Sequence, residues 1–525
     1  MSHFLLEDTI VAPATIPGTG AISILRLSGP EALAIVDRIV RFKSSDASSS
    51  EGYRIKYGSV IDSGEEVLDE VLVSVFHAPR SYTGEDMVEI SCHASGYIVS
   101  RLTEKLIAAG ARMAAPGEFT RRAFVNGKMD LSQAEAVADV IAAENQAAHR
   151  VAMNQLRGGY SRELAGLRGE LLEMTSLLEL ELDFSEEDVE FADRSRLKGL
   201  LSRVTEHVDR LIDSFRLGNA VRNGVPVAIV GPVNAGKSTL LNALLQDDRA
   251  IVSDVAGTTR DTVEETLNLD GIRFRFIDTA GIRETDESVE QAGIRRSLQK
   301  LSEAEIVLCV LDAGAPLEQL EENLQLLLEK IDPEHQTVFI LLNKTDIGGI
   351  NKNVTVFNKI VSLVDKYGFI AKCDGATPVL GSDGSKASSG TVSGCIEACP
   401  AAGSSHSAAF FGATQAYAAA FHYIEISAKE GRNIEELKKR LVDSRKDRMS
   451  RIEGSLVTNA RHLEALRLAR TSLSRVREGL DTSLPTDLVA RDLRDTLDAL
   501  GSILGESITT DEILGNVFKN FCIGK

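Results

Sequence analysis

Three shortages frame this chain. Cysteine is scarce: six residues spread over 525 cannot build the dense disulfide framework of a small secreted domain, which predicts a reducing, cytoplasmic setting. Long apolar runs are missing, so no segment is expected to span a bilayer. The opening MSHFLLEDTIVAP likewise shows no basic stretch followed by an apolar core. Positive charge is in deficit. A net charge of −19 excludes a protein that coats nucleic acid non-specifically, but it leaves room for a local basic patch, or for a basic partner that holds the nucleic acid instead. Proline is also absent from Gly117 until Pro226, which leaves little to interrupt long helices in that interval. What remains, 43% hydrophobic and 26% charged residues, is the composition of a globular protein. The length exceeds one core and points to about two to four domains.

In chain order, residues 1–126 alternate short β-like runs (AISILRLSG, DEVLVSVF, EDMVEISCH) with Gly/Pro turns and apolar-periodic segments, which predicts an α+β domain. Arg26 and Glu89 in this stretch, and Lys128 just past it, stand beside strand ends or turns, and by themselves they read as solvated surface charges. In residues 127–222, Leu164, Leu167, Leu171, Met174, Leu178 and Leu182 recur at three- and four-residue spacing, the mark of long amphipathic helices. The acidic run DFSEEDVEF reads as a helix start between two of them. Residues 446–525 return to helical spacing at Leu463, Leu466, Leu473, Val476 and Leu480. One helical domain split by an inserted domain, residues 223–445, accounts for both stretches.

The inserted domain carries the chemistry. VPVAIV, then GPVNAGKS from Gly231, then an apolar helical segment make a strand, a glycine-rich turn and a helix start. Gly231 and Gly236 let the backbone of Asn234, Ala235 and Gly236 turn its N–H groups toward a polyphosphate. Lys237 can reach the β- and γ-phosphates, Ser238 can hold Mg²⁺, and Thr239 follows in the helix. GTTRD supplies Thr259 for the Mg²⁺ shell. RFRFIDTAG ends a strand at Asp278, Thr279, Ala280 and Gly281, for Mg²⁺ through water and for the γ-phosphate. VFILLNKTD offers Asn343, Lys344 and Asp346. The Asp346 carboxylate can accept from both N1–H and the 2-amino group of guanine, a pair adenine lacks. HYIEISAK closes the set with Ser427, Ala428 and Lys429 at guanine O6. An ATPase or a P-loop kinase would have to treat NKTD as accidental.

The residue after D-T-A-G is Ile282, which cannot orient the attacking water as a glutamine does in many small GTPases. Either the GTPase is slow or another residue does this work, and Glu284, Glu287 and Glu290 follow. A monovalent cation in the loop, with the Asn234 side-chain oxygen as a ligand, is a further source of charge.

GPVNAGKST, IVSDVAGTTRD, DTAGIRE, NKTD and the terminal FCIGK, with TGED and PGEFTRRAFVNGKMDLSQAEA in the first half, resemble the MnmE (TrmE) family of tRNA wobble-uridine modification GTPases over nearly the whole chain. The resemblance implies a multidomain α/β and α fold: a dimerising, tetrahydrofolate-binding-like N-terminal domain, a discontinuous helical domain and an inserted Ras-like P-loop G domain. It implies a homodimer whose G domains meet across K⁺. The K⁺ ligands would be Asn234, Ser253, Val255 and Thr258, and the residue acting on the attacking water would be Glu290. It implies a folate pocket of Arg26, Glu89, Lys128 and Lys525 for 5-formyl- or methylene-tetrahydrofolate, with Cys522 near it. It also implies a flavin- and NADH-using partner, MnmG, in a heterotetramer or larger complex, and tRNA as substrate.

The chain departs from that pattern in an insert over about residues 351–421, rich in Gly, Ser and Ala from Cys373 on, which reads as a surface excursion. Its Cys373, Cys395, Cys399, His406 and His422 lack the tight paired spacing of a zinc site. Two other readings stay open at this stage: a ribosome-assembly GTPase without modification chemistry, and a plain GTP-binding module.

Overall fold

The structure is a computed structural model. It describes residues 8–43, 45–62, 66–183, 194–245, 265–277, 301, 303–333, 335–346, 356, 359–360, 363, 370–371, 420–450, 455–482, 484–506 and 524. The chain forms two compact units. One holds residues 1–144, 148–215 and 454–525, and the other holds 145–147 and 216–453, so the second is inserted within the first.

The first unit opens with a seven-stranded sheet. Its strands run in the order Val40–Phe42, Arg54–Ile61, Val67–Phe76, Met87–Ala94, Gly20–Ser28, Ile10–Pro13 and Arg112–Met113. Every neighbouring pair is antiparallel except the last, which is parallel. Side chains alternate along DEVLVSVF: Val71, Val73 and Val75 are buried, while Leu72 points outward and is 48% exposed. The helices Ala32–Ile39 and Gly96–Ala108 supply the other half of that core with Ile35, Val36, Leu102 and Leu106.

The helical part of the same unit draws on both sides of the insertion. Leu164, Leu171 and Met174 of the helix Gly159–Asp183 share one core with Leu201, Val204 and Val208 of Arg194–Asn223. Leu466, Leu473 and Val476 of Ala460–Asp481 join it, as do Leu493, Leu500 and Ile503 of Thr486–Leu504. The residues that follow the insertion are bolted down. Gln155 Nε2 donates to the Leu456 carbonyl at 2.9 Å, and the Val457 N–H donates to Ser214 Oγ at 3.1 Å. Glu135 lies beneath them, 9% exposed, between Arg461 Nε at 3.0 Å and His462 Nε2 at 2.7 Å. Arg461 also donates to the carbonyls of Ser502 and Ile503, satisfying the carbonyl end of Thr486–Leu504, which stops at Gly505 with φ 85°.

The inserted unit is a second seven-stranded sheet, in the order Ile370–Ala371, Ala420–Glu425, Thr337–Asn343, Ile306–Asp312, Val225–Val230, Ile272–Ile277 and Glu265–Leu269. It is parallel except for the final hairpin. Side chains pack against both faces, which explains why VPVAIV, IVLCVLD and TVFILLN read as unbroken apolar runs instead of alternating. The helix closing this unit runs Ile434–Ser450, past the boundary at 445 expected from the sequence. Within about 351–421, Val356 and Ile360 are buried in the unit's core, and Ile370–Ala371 forms an edge strand. Those positions belong to the domain itself. Residues 372–419 lie outside the described residues.

Candidate functional site

In a parallel sheet the chemistry collects at the carboxyl ends of the strands. The first such end is Val230. After it, Gly231 adopts φ 150°, and a Cβ there would lie 2.2 Å from the Val310 carbonyl oxygen. Gly236 adopts φ 98°, and a Cβ there would meet Asn343 Nδ2 at 2.3 Å. Only glycine fits either place. The loop between them exposes Asn234, a non-glycine residue at φ 63°, and buries Ala235. The helix Lys237–Leu245 then begins, with Ser238 and Thr239 exposed in its first turn. Lys237 Nζ donates to the carbonyls of Gly231 and Pro232 at 2.9 and 2.8 Å, so its ammonium is drawn across the loop. Burial pushes it below the ordinary lysine range.

The second and third ends are joined to this loop through one side chain. Asn343, 2% exposed, donates from Nδ2 to the Ala235 carbonyl at 2.8 Å and accepts the Ala428 N–H on Oδ1 at 3.0 Å. Lys344, at φ 64°, directs its Nζ to Asp312 Oδ2 at 2.6 Å. Thr345 Oγ1 donates to the Ile426 carbonyl at 3.0 Å. Asp346 is exposed. The Ser427 hydroxyl holds its carboxyl below the usual carboxylate range, a backbone N–H adds to that, and the Lys429 and Arg432 cations contribute less. An ionised, outward-facing acceptor is what recognition of a base with two adjacent donors requires. The structure therefore brings together Asn234, Ala235, Gly236, Lys237, Ser238, Thr239, Asn343, Lys344, Asp346, Ser427, Ala428 and Lys429.

Ser253, Val255, Thr258, Thr259, Asp278, Thr279, Ala280, Gly281, Ile282 and Glu290 lie outside the described residues, as do Cys522 and Lys525. So do Cys373, Cys395, Cys399 and His406. His422 stacks on the buried Phe339, with ring centroids 4.4 Å apart.

A second constellation forms in the first unit. Arg26 and Glu89 are register partners on adjacent strands, and Arg26 Nε and Nη2 both donate to Glu89 Oε1, at 2.9 and 2.7 Å. The guanidinium lies over the rings of Tyr82 and Phe119, at 5.4 and 5.7 Å from their centroids. Its Nη1 donates to the carbonyl of Gly524 at 3.1 Å, which brings this one residue of the terminal FCIGK to the sheet. Gly524 sits at φ 98°, and a Cβ on it would lie 2.1 Å from the Pro13 carbonyl oxygen. Lys128 Nζ donates to the Pro79 carbonyl at 2.9 Å, on the segment that leads into Tyr82. Beneath this surface the buried Arg122 binds Asp8, Glu85 and Glu118, and so fixes the helix Glu118–Val125 that carries Phe119. The three separated charges thus lie on adjoining parts of one domain. Tyr82, Phe119 and Gly524 escaped the sequence reading, although Phe119 stands inside the PGEFTRRAF run that carries the resemblance.

Among the described residues no helix is long and apolar enough to cross a membrane. Comparison with known proteins finds two family profiles in the chain. One, described as the MnmE helical domain, matches residues 131–522, and the other, GTP-binding protein TrmE N-terminus, matches residues 9–128. The chain is 46% identical over 523 residues to a protein of Bacteroides fragilis named tRNA modification GTPase MnmE, covering 99% of this chain and 100% of that one. It is 45% identical over 525 residues to the protein of the same name from Bacteroides thetaiotaomicron, with 99% and 100% covered. Among solved structures, a GTP-binding protein of Sulfolobus solfataricus in complex with GDP is similar at 16% identity and a TM-score of 0.27, covering 54% of this chain and 67% of that one. A likeness at that level carries no argument about function.

Proposed function

The chain belongs to the MnmE (TrmE) family of tRNA modification GTPases, and on that premise we propose that it is a K⁺-dependent GTP hydrolase acting with MnmG. In this reading the pair installs aminomethyl or carboxymethylaminomethyl groups at C5 of the tRNA wobble uridine, using a tetrahydrofolate one-carbon unit. GTP turnover drives G-domain association and a conformational change. The protein works as a cytoplasmic homodimer within a heterotetramer or larger complex.

Within the G domain, the loop N–H groups and Lys237 bind the polyphosphate, and Asp346 with the backbone at Ala428 selects guanine. The donor sets suit the expected ions, since Ser238 and Thr259 offer hydroxyl oxygens and Asn234, Ser253, Val255 and Thr258 offer neutral oxygens. Bound there, Mg²⁺ and K⁺ would supply positive charge to the phosphate oxygens, a part that other GTPases give to an arginine. Glu290 holds the attacking water, which Ile282 cannot do.

The folate reading draws on Arg26. Its cation is backed by Glu89 and flanked by two aromatic rings, and Lys128 adds a second cation, a set suited to an anionic ligand with a flat ring.

The observation that carries the whole reading is the contact of Arg26 with Gly524. It sets Gly524, a residue of the family's C-terminal signature, against Arg26, the cation on which the folate reading draws. Mass analysis of wobble uridines in a strain lacking this chain tests it. The modified nucleosides should return when the wild-type chain is supplied and stay absent with Arg26→Ala. Failure of the wild type to restore them, together with its co-purification with a ribosomal subunit, would favour an assembly GTPase.

A further inference from the structure

We infer that Asp312 is a positioning residue of the guanine site, holding Lys344 so that the lysine's four-carbon stem forms a fixed wall for the base. The inference rests on the guanine-nucleotide reading above and extends it to a residue outside the five nucleotide motifs. Asp312 ends the strand Ile306–Asp312 and stands in register with Asn343, the residue that ties the phosphate loop to the Ser427–Lys429 turn. Its two carboxylate oxygens have separate duties: Oδ1 accepts the Gly314 N–H at 2.9 Å, and Oδ2 receives Lys344 Nζ at 2.6 Å.

The backbone on either side is locked as well. The Ala313 N–H donates to the Asn343 carbonyl at 2.9 Å, and the Ala315 N–H donates to the Asp312 carbonyl at 3.0 Å. The carboxylate is therefore aimed before any ligand arrives.

Lys344 is fixed at its other end too. Its φ of 64° is a left-handed conformation that a lysine adopts only where the surrounding structure imposes it. Between a constrained Cα and a tethered Nζ, the methylene stem has little freedom left. An untethered lysine would lose up to about 2 kcal/mol of rotamer entropy on being ordered against a ligand. Here the ion pair has already ordered it. Side-chain exposures of 28% for Asp312 and 32% for Lys344 leave the pair at the surface of the site, reachable by a nucleotide and only partly screened. Asp346, two residues on, is the acceptor for the guanine edge, so the stem next to it is an apolar strip for the ring's face.

The test is a double-mutant cycle on the full chain: wild type, D312N, K344A and D312N/K344A. GDP and GTP dissociation constants and release rates are read by stopped-flow fluorescence. D312N keeps the oxygen that accepts the Gly314 N–H and removes the charge. It should weaken GDP and GTP by the same factor, roughly 3- to 10-fold. The change should come through faster release and fall on KM more than on kcat. In the K344A background D312N should add nothing further.

Equal affinities of D312N and wild type overturn the inference. So does a D312N loss that persists in full without Lys344. If D312N also melts early, the comparison of K344A with D312N/K344A decides, because a loss that comes from folding persists without Lys344 and a loss that comes through the ion pair does not. If the wild type binds neither nucleotide, the guanine reading fails. If the wild type binds and D312N binds equally, only the role of Asp312 fails.

Discussion

The guanidinium of Arg26 donates to the carbonyl oxygen of Gly524 at 3.1 Å, across 498 positions of sequence. Gly524 can stand there only because it lacks a side chain, since a Cβ would lie 2.1 Å from the Pro13 carbonyl oxygen. Gly524→Ala should therefore displace the tail and weaken 5-formyl-tetrahydrofolate binding by roughly 10-fold or more, for a backbone strain of about 1–3 kcal/mol. The KM for GTP should not change. Equilibrium dialysis with the purified protein reads this directly, and unchanged folate affinity would remove the tail from the site.

Asn343 holds two loops at once, so its loss should be felt in both. Asn343→Ala leaves the Ala235 carbonyl and the Ala428 N–H without their partner. Two lost buried hydrogen bonds, at about 1–3 kcal/mol for each group left unpaired, predict at least a 30-fold fall in GDP affinity and a lower melting temperature. Titration calorimetry and a thermal melt check both arms.

Asp346 is the specificity element in this reading. Asp346→Asn replaces an acceptor with a group that can also donate, which suits the 2-oxo group of xanthine and not the 2-amino group of guanine. Affinity should move from GTP to XTP, with guanine disfavoured by roughly 100-fold or more. Competition between the two nucleotides measures it, and an unchanged preference would mean that the base is read elsewhere.

Glu290 and potassium can be tested together. Glu290→Ala should bind GTP as the wild type does and lose hydrolysis by about two orders of magnitude. Replacing K⁺ with Na⁺ in the wild-type assay should also slow turnover, and Asn234→Ala should blunt that dependence on the cation. Full turnover by Glu290→Ala would require another residue to hold the water.

The buried Glu135 should make the first unit acid-sensitive. Burial alone would raise its carboxyl, but His462 and then Arg461 override that and hold it at about 2, against an ordinary value of 4.5. A folded-state value below the unfolded one contributes stability that is present above about pH 4.5 and is lost as the pH falls toward about 2. Glu135→Gln should be less stable than the wild type at neutral pH, and the gap should close through that window. Denaturant melts at a series of pH values show whether the two curves converge.

Much of the nucleotide site was legible because its parts are local: a strand, a turn and a helix start lie within a dozen or so residues, and NKTD and SAK each follow an apolar run. What joins those parts was not legible. Nothing in LLNKTD says that the asparagine reaches back to Ala235 and across to Ala428, nor that the aspartate ending LCVLD receives Lys344. Those links exist only once parallel strands have set Asp312 beside Asn343.

The first-domain site was harder still. Arg26 and Glu89 look like surface charges until two antiparallel strands, one with a register shift between Gly20 and Ser23, make them partners. The resemblance pointed to these residues. It did not point to the rings of Tyr82 and Phe119 that flank the guanidinium, because a loop residue and a helix residue brought against a strand leave no periodic trace in the sequence. The helical domain lay between these cases. Its leucine spacing was plain, and Leu463, Leu466, Leu473, Val476 and Leu480 are all buried, but the junction of Glu135 with Arg461 and His462 spans the insertion.

The parallel pairing of Thr337–Asn343 with Ala420–Glu425 anchors both ends of the chain that runs between them. For a flexible connection between fixed ends, doubling the length adds only about 0.6 kcal/mol of closure entropy. A Gly-, Ser- and Ala-rich composition, such as that after Cys373, suits added length of this kind. An epitope or a fluorescent domain grafted there should leave the strand register, and with it Asn343 and Ser427, where they are. That would give the experimenter a way to follow this GTPase in living cells without touching either of its ends.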